Sequence, residues 1–180
     1  MMISLSDLRK FKSEGRKFSC LTCYDASMAK AMELAEVDSI LIGDSLGMAI
    51  QGHDSTLPVT VDDMAYHTAA VRRGNSHAFI MTDLPFMSYA TLNDALQSAK
   101  KVMQAGAQMI KIEGGAWLSE SVRVLTQNGI PVCVHLGLTP QSVHVFGGYK
   151  LQARTREAAD QLIADCTAVV DAGAAILLLE

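Results

Sequence analysis

The sequence predicts a parallel α/β fold of the barrel type. Three observations predict it. Short apolar runs alternate with helix-like segments along the whole chain. The runs are apolar on both faces, as strands buried between layers are. Nearly every run ends in a polar, ionisable residue. In parallel α/β folds the C-terminal strand ends share one rim, and active sites sit there. Residues far apart in sequence should therefore meet in one acidic pocket that also holds a lysine and a histidine. That pattern points to a metal-assisted enzyme rather than a binding module.

The start, MMISLSDLRKFKSEGRK, reads as a short amphipathic helix. Residues 18–24 read as a strand ending at Asp25, and 26–36 (ASMAKAMELAE) as a helix. Residues 39–44 form the next strand, which ends in Asp44 and Ser45. Gly43 and Gly47 bracket that pair and would let a ligand approach the backbone closely. A long loop, GMAIQGHDSTLPVT, leads to a helix over 61–73 and a strand over 78–83 that ends at Asp83. Residues 92–105 place Leu92, Ala95, Leu96, Ala99, Val102 and Met103 on one helical face. Thr91, with Asp94 three residues on, suits the N-cap, and Gly106 the end. The strand over 108–113 carries Lys111 and ends at Glu113. A helix over 117–128 precedes a strand over 131–135 that ends at His135. After the loop LGLTPQSVHVFGGYK, a helix over 156–172 turns Ala159, Leu162, Ile163, Cys166, Val169 and Val170 inward. Gly173 closes it, and the strand over 175–180 ends at Glu180.

No linker or low-complexity tract interrupts these β/α repeats, so residues 1–180 read as one domain. A doubly wound open sheet and a (β/α)8 TIM-type barrel both fit. A doubly wound nucleotide fold usually carries a glycine-rich turn after its first strand. Here that turn is CYDASMA, without glycine, and polar residues at every strand end suit the barrel. A full barrel takes roughly 250 residues. The chain should therefore supply about six β/α units of such a barrel and stop short at its C-terminal side.

Bulk properties exclude other classes. The 180 residues are 49% hydrophobic and 19% charged, with a formal net charge of −4 and no block of like charges. No nucleic-acid footprint is expected. No apolar run reaches the length of a membrane span, and the N-terminus lacks the apolar centre of a signal peptide. The expected location is the cytoplasm. Cys20 and Cys23 make a C-x-x-C, but no second Cys or His pair accompanies it. Both are expected to be buried small side chains on opposite faces of a strand.

Asp44, Asp83 and Glu113 end consecutive strands, whose neighbours lie roughly 5 Å apart. Three carboxylates so close need a cation, protons or basic partners. Hard oxygen ligands with room left for water favour Mg²⁺ over a caged Ca²⁺ or zinc. The bland alternative for any one of them is capping of the next helix. Lys111 lies two residues before Glu113, on the same strand face. Burying it requires a carboxylate or an anionic substrate; an internal salt bridge and Schiff-base chemistry are the alternatives. His135 is a candidate catalytic group, or else a satisfied core histidine. His53, His67, His77 and His144 are weaker candidates. Glu180 follows four apolar residues, and a carboxylate in such surroundings suits a general base.

At these residues the chain resembles a known family. LIGDSLGM, QGHDSTLPVT, YHTAAVRRG, DLPFMSYA, KIEGG, PVCVHLGLTPQSV and FGGYK are similar to stretches of 3-methyl-2-oxobutanoate (ketopantoate) hydroxymethyltransferases, from about residue 3 to the end. The resemblance implies a (β/α)8 barrel, Mg²⁺ dependence and a homo-oligomer, the family decamer. It implies one-carbon transfer from 5,10-methylenetetrahydrofolate to 3-methyl-2-oxobutanoate through a Mg-stabilised enolate, giving 2-dehydropantoate for pantothenate biosynthesis. On this chain it places metal ligation on Asp44, Asp83 and Glu113, and oxo-acid contacts on Asp44, Ser45, Asp83 and Lys111. It places the base on Glu180, with His135 as a rim histidine. The family continues with a glycine-rich seventh strand, an eighth unit and C-terminal helices. Two alternatives share the rim. One is a Mg-dependent C–C or P–C bond enzyme of the phosphoenolpyruvate mutase/isocitrate lyase type, though no cysteine here is followed by Gly-His. The other is an inactive truncated chain.

Overall fold

The computed structural model describes residues 2–180. Six strands form one parallel sheet: β1 (Cys20–Thr22), β2 (Ser39–Ile42), β3 (Phe79–Asp83), β4 (Met109–Glu113), β5 (Val132–Leu136) and β6 (Ile176–Leu179). Their spatial order is their chain order, β1-β2-β3-β4-β5-β6, every neighbouring pair being parallel. A doubly wound sheet reverses its order at a switch point. This one never does, which rules out the open-sheet alternative and gives a partial (β/α) barrel.

The helices are α1 (Leu5–Ser13), α2 (Ala26–Leu34), α3 (Leu46–Ala49), α4 (Val61–Gly74), α5 (Leu92–Gln104), α6 (Ser119–Gln127), α7 (Val143–Phe146) and α8 (Arg156–Asp171). Local chemistry sets several starts. Ser4 with Asp7, Thr60 with Asp63 and Thr91 with Asp94 each form a reciprocal capping box, which satisfies amides that no helical carbonyl can reach. The expected stripe of α5 faces inward, with Ala95, Ala99 and Val102 fully buried. The short α3 and α7 lie where only loops were expected. Among the described residues no helix is long and apolar enough to cross a membrane.

Strand alternation divides the interior in two. Ile40, Ile42, Ile80, Ile110, Ile112, Val132 and Val134 pack outward against the helices. Phe79, Met81, Met109 and Cys133 point to the other side, where Ile3 and Leu8 close one end from α1 and the segment before it. The register pairs Asp83 with Lys111 and Glu113 with His135. Residues two apart on one strand share a face. The lumenal rows therefore run Phe79–Met81–Asp83, Met109–Lys111–Glu113 and Cys133–His135, apolar at one end and ionisable at the other.

Three expectations need correction. Cys20 is exposed, not buried, because β1 pairs with β2 alone and stands at the sheet edge. Cys23 is buried but lies past the end of β1. The strands are not all covered on both faces: β1 is exposed throughout and β6 is only half-buried. In α8 Val169 is buried, whereas Ile163 and Val170 are 63% and 48% exposed. That helix rests on α6, β5 and the turn at Ala116–Leu118, so only one flank of its apolar stripe is covered.

Candidate active site

All seven residues singled out at strand ends lie along one rim. Asp44 and Ser45 follow β2, Asp83 ends β3, Lys111 and Glu113 belong to β4, His135 to β5, and Glu180 follows β6. Asp44, Asp83, Lys111, Glu113 and His135 are each at most 4% exposed. Five ionisable groups this deep must answer one another.

Their contacts form a continuous chain. The main-chain N–H of Asp44 donates to Asp83 Oδ2 at 3.1 Å. Asp83 Oδ1 is fully buried and meets the Lys111 ammonium as an ion pair, outside good hydrogen-bond geometry. Lys111 Nζ also donates to Glu113 Oε1 at 3.2 Å. His135 Nδ1 lies 3.3 Å from the same oxygen, and its Nε2 lies 3.4 Å from Glu180 Oε2 without a hydrogen bond. Glu180 is tied beside β5 through its backbone: its N–H donates to Leu136 O at 3.2 Å, and its carbonyl accepts from Leu138 N at 2.8 Å. Its side chain is 52% exposed, so the apolar surroundings expected for it are absent.

The electrostatics follow from burial and proximity. Burial, and then the Asp83 carboxylate, push Asp44 up to about 7. Burial also raises Asp83, against the pull of Lys111. Burial alone would strip Lys111 of its charge, but Asp83 and Glu113 overcome it and hold the ammonium well above the usual lysine range. Burial works against the Glu113 carboxylate too; the hydrogen bond from His135 and the charge of Lys111 bring it below its ordinary value.

Sequence reasoning missed three residues here. Tyr24 OH and Ser45 Oγ are 2.8 Å apart. Gln141, on the turn Pro140–Ser142 after β5, donates through Nε2 to Asp44 Oδ2 at 2.8 Å. Tyr89 OH donates to Gln141 Oε1 at 2.5 Å. All three sit in loops, where no periodicity marks a residue; the only sequence signal is that they lie just after strands. Beside Gly43 a Cβ would meet Ser45 Oγ at 2.8 Å, so the missing side chain makes room for the serine hydroxyl. The space beside Gly47 is likewise taken, by Val59 and Ser55 of the long loop. His67 serves the scaffold, its Nδ1 lying 2.7 Å from Tyr24 O.

The donor chemistry suits a hard divalent cation. Asp44 and Asp83 are neighbouring carboxylates; burial and then the Asp83 charge raise Asp44, and a cation relieves the repulsion between the two. Glu113 has both oxygens engaged, Oε1 by Lys111 and His135 and Oε2 by the Gln141 main-chain N–H at 3.1 Å. Among the described residues no three His, Cys, Asp or Glu side chains form a closed metal-binding group. Two carboxylates without a third are an open arrangement, the kind Mg²⁺ completes with water and substrate. Beside Glu113 and Gln141 opens a cleft of about 270 Å³, walled by Phe86, Met87, Tyr89 and Trp117.

The fold and rim define a (β/α)-barrel protein with a buried charged centre at the strand ends. Comparison with known proteins narrows this. The ketopantoate hydroxymethyltransferase family matches residues 2–180, and the chain belongs to that family. It is 93% identical over 179 residues to the 3-methyl-2-oxobutanoate hydroxymethyltransferase of Acinetobacter baylyi, and 66% identical to that of a Psychrobacter species. These matches cover 99% of the chain and 66% of each relative. The chain thus spans just under two thirds of the length of the relatives it matches. Among solved structures, 2,3-dimethylmalate lyase aligns with a TM-score of 0.68 at 17% identity, over 100% of this chain and 65% of that one. Phosphonopyruvate hydrolase, solved with oxalate and Mg²⁺, aligns with a TM-score of 0.76 at 14% identity, over 99% and 63%. Both likenesses are of fold. They show the barrel and leave the family as the hydroxymethyltransferase one.

Proposed function

We propose that this chain is the catalytic part of a hydroxymethyltransferase that moves a one-carbon unit from 5,10-methylenetetrahydrofolate to 3-methyl-2-oxobutanoate, giving 2-dehydropantoate. The observation that carries the reading is the buried row Asp44–Asp83–Lys111–Glu113–His135 at the strand ends of a chain so close to enzymes of that name. Asp44 and Asp83 would hold Mg²⁺, with Glu113 beside them. Bound there, Mg²⁺ would supply Lewis-acid polarisation of the 2-oxo acid.

The chain's own groups do the rest. Lys111 stays cationic and offsets the charge of the anionic substrate. Ser45, hydrogen-bonded to Tyr24, would contact the oxo acid. Glu180 takes the C3 proton, and the electron pair left on C3 forms the new bond to the one-carbon unit. That carbon's two bonds to folate nitrogens break, water supplies the hydroxyl, and tetrahydrofolate leaves with the proton from C3 and one from water on its nitrogens. His135 stands between Glu180 and Glu113, placed to orient the base. The cleft at Phe86 and Trp117 offers flat apolar walls to the folate ring. The assembly proposed is a homo-oligomer, the decamer that the sequence resemblance implies, acting in the cytoplasm.

The test is exchange of the C3 proton of 3-methyl-2-oxobutanoate in D₂O, followed by NMR without folate, on a protein of the relatives' full length. Glu180→Gln should stop exchange while leaving oxo-acid binding intact. Wild-type exchange in that variant would move the base to His135 or to water. No exchange and no binding by the unmodified protein would overturn the reading.

A further inference from the structure

We propose that Gln141 sets the metal preference of the rim, favouring Mg²⁺ over Ca²⁺ by tying up one oxygen of the Asp44 carboxylate with its side-chain amide. The inference rests on the metal assignment above.

Gln141 is 6% exposed and fully committed. Its Nε2 donates to Asp44 Oδ2 at 2.8 Å and to Leu84 O at 3.0 Å. Its Oε1 accepts from Tyr89 OH at 2.5 Å, and its main-chain N–H donates to Glu113 Oε2 at 3.1 Å. The amide has one workable orientation: flipped, its oxygen would face two acceptors and its nitrogen would lose both bonds. Tyr89 is fixed in turn by the main-chain N–H of Glu113, at 3.2 Å. One residue on a turn after β5 thereby fixes carboxylates that end up beside β2 and on β4.

The consequence is a restriction on how these carboxylates can bind. With Oδ2 held by Gln141, Asp44 offers a cation only Oδ1. Asp83 is limited further, because its Oδ2 accepts from the Asp44 main chain and its buried Oδ1 is shared with the Lys111 ammonium. Glu113 has no free oxygen. Ca²⁺ takes six to eight oxygens and commonly uses both oxygens of a carboxylate; Mg²⁺ takes six, usually one per carboxylate, and keeps several waters. A rim whose aspartates offer at most one oxygen each suits Mg²⁺ and leaves Ca²⁺ under-coordinated. Removing the Gln141 side-chain amide frees Asp44 Oδ2 for a second contact, while the main-chain N–H still holds Glu113 Oε2, so Ca²⁺ gains more than Mg²⁺ does.

The experiment is calorimetric titration of the full-length protein with MgCl₂ alone and CaCl₂ alone, for the wild type, Gln141→Met and Tyr89→Phe. Gln141→Met keeps the side-chain volume and removes the side-chain amide, leaving the main-chain N–H on Glu113 in place. The ratio of Mg²⁺ to Ca²⁺ affinity should fall by about tenfold or more, the factor carried by one hydrogen bond to a charged group. Tyr89→Phe removes no carboxylate contact; it loosens the amide and frees the Glu113 main-chain N–H, so the ratio should fall in the same direction by less. A loss of rigidity alone would weaken both metals together and leave the ratio where it was. An unchanged ratio in Gln141→Met overturns the proposal; should that variant fail to fold, an unchanged ratio in Tyr89→Phe does so. Failure of the wild type to bind Mg²⁺ overturns the metal assignment itself, whereas wild-type Mg²⁺ binding with an unmoved ratio overturns only the role of Gln141.

Discussion

The two ends of the barrel lumen are built from the same strands and obey opposite rules. At one end Phe79, Met81, Met109 and Cys133 pack with Ile3 and Leu8 in an ordinary apolar core. At the other, two residues further along the same faces, Asp83, Lys111, Glu113 and His135 are buried just as deeply. The apolar end gains stability from removing surface from water. The charged end gains little or none, since desolvation offsets much of the attraction within a buried ion pair. The comparison teaches that burial at the rim is a device for tuning charge, with the apolar end as its foundation.

The strongest way to break this contrast is to remove the cation. Lys111→Met leaves Asp83 and Glu113 buried with no positive partner, and breaking such a pair costs about 3–5 kcal/mol. Without the lysine both carboxylates have their folded pKa raised. Stability from a raised carboxylate is present at low pH and lost as pH rises through the folded value. Denaturant melts should therefore show a larger loss at pH 8 than at pH 5. Equal losses at both would mean that the rim is held by packing, not by charge.

The matching change at the apolar end is Met109→Ala. It leaves a cavity, with an expected cost of about 2–5 kcal/mol. This loss should be the same at pH 5 and pH 8, and Mg²⁺ affinity per folded molecule should not change. A pH-dependent loss would show that the two ends are coupled along β4.

Much of this contrast is legible in the sequence, and the reason is geometric. A strand end is a fixed place, so Asp44, Asp83, Lys111, Glu113 and His135 could be assigned to one rim from their position after apolar runs. Helix α5 was legible because its stripe and its Thr91–Asp94 cap agree. What stayed hidden depends on neighbours. Cys20 is exposed because of where β1 falls in the sheet order, and Ile163 because α8 is covered on one flank. Both are tertiary facts. Gln141 is an ordinary loop glutamine until the fold brings it across to Asp44, 97 residues away in sequence. That Glu113 has no free oxygen could not be read from its place at the end of β4.

A smaller effect concerns protons at the metal site. In the metal-free protein Asp44 titrates near 7, above its unfolded value of 3.8. Its contribution to stability is present below about pH 4 and lost as pH rises through about 7. A cation needs the ionised form, so Mg²⁺ must displace a proton below that point. Mg²⁺ affinity should rise with pH by up to about tenfold per unit below 7 and level off above it. Titrations between pH 5.5 and 8.5 should also show proton uptake by buffer shrinking towards the top of that range. A flat profile would mean that Asp44 is already ionised in the free protein, and that Lys111 screens it more than its position beside Asp83 implies.

The smallest expected effect is at the outer margin of the rim. Tyr24 OH reaches Ser45 Oγ at 2.8 Å in a partly open position, and burial raises the phenol above its usual range. Tyr24→Phe removes one hydroxyl and little else. A neutral hydrogen bond of this kind is worth about 0.5–1.5 kcal/mol. If the serine hydroxyl contacts the oxo acid, losing its partner lets it rotate away, and oxo-acid affinity should weaken by about two- to tenfold. Mg²⁺ affinity should not follow, because Asp44 takes its orientation from Gln141 and Asp83 takes its own from the Asp44 backbone and Lys111. Parallel titrations with 3-methyl-2-oxobutanoate and with MgCl₂ separate the two. Equal weakening of both ligands would tie Tyr24 to the charged row itself, and the boundary drawn here between the metal-holding carboxylates and the substrate-holding hydroxyls would have to move outward to include it.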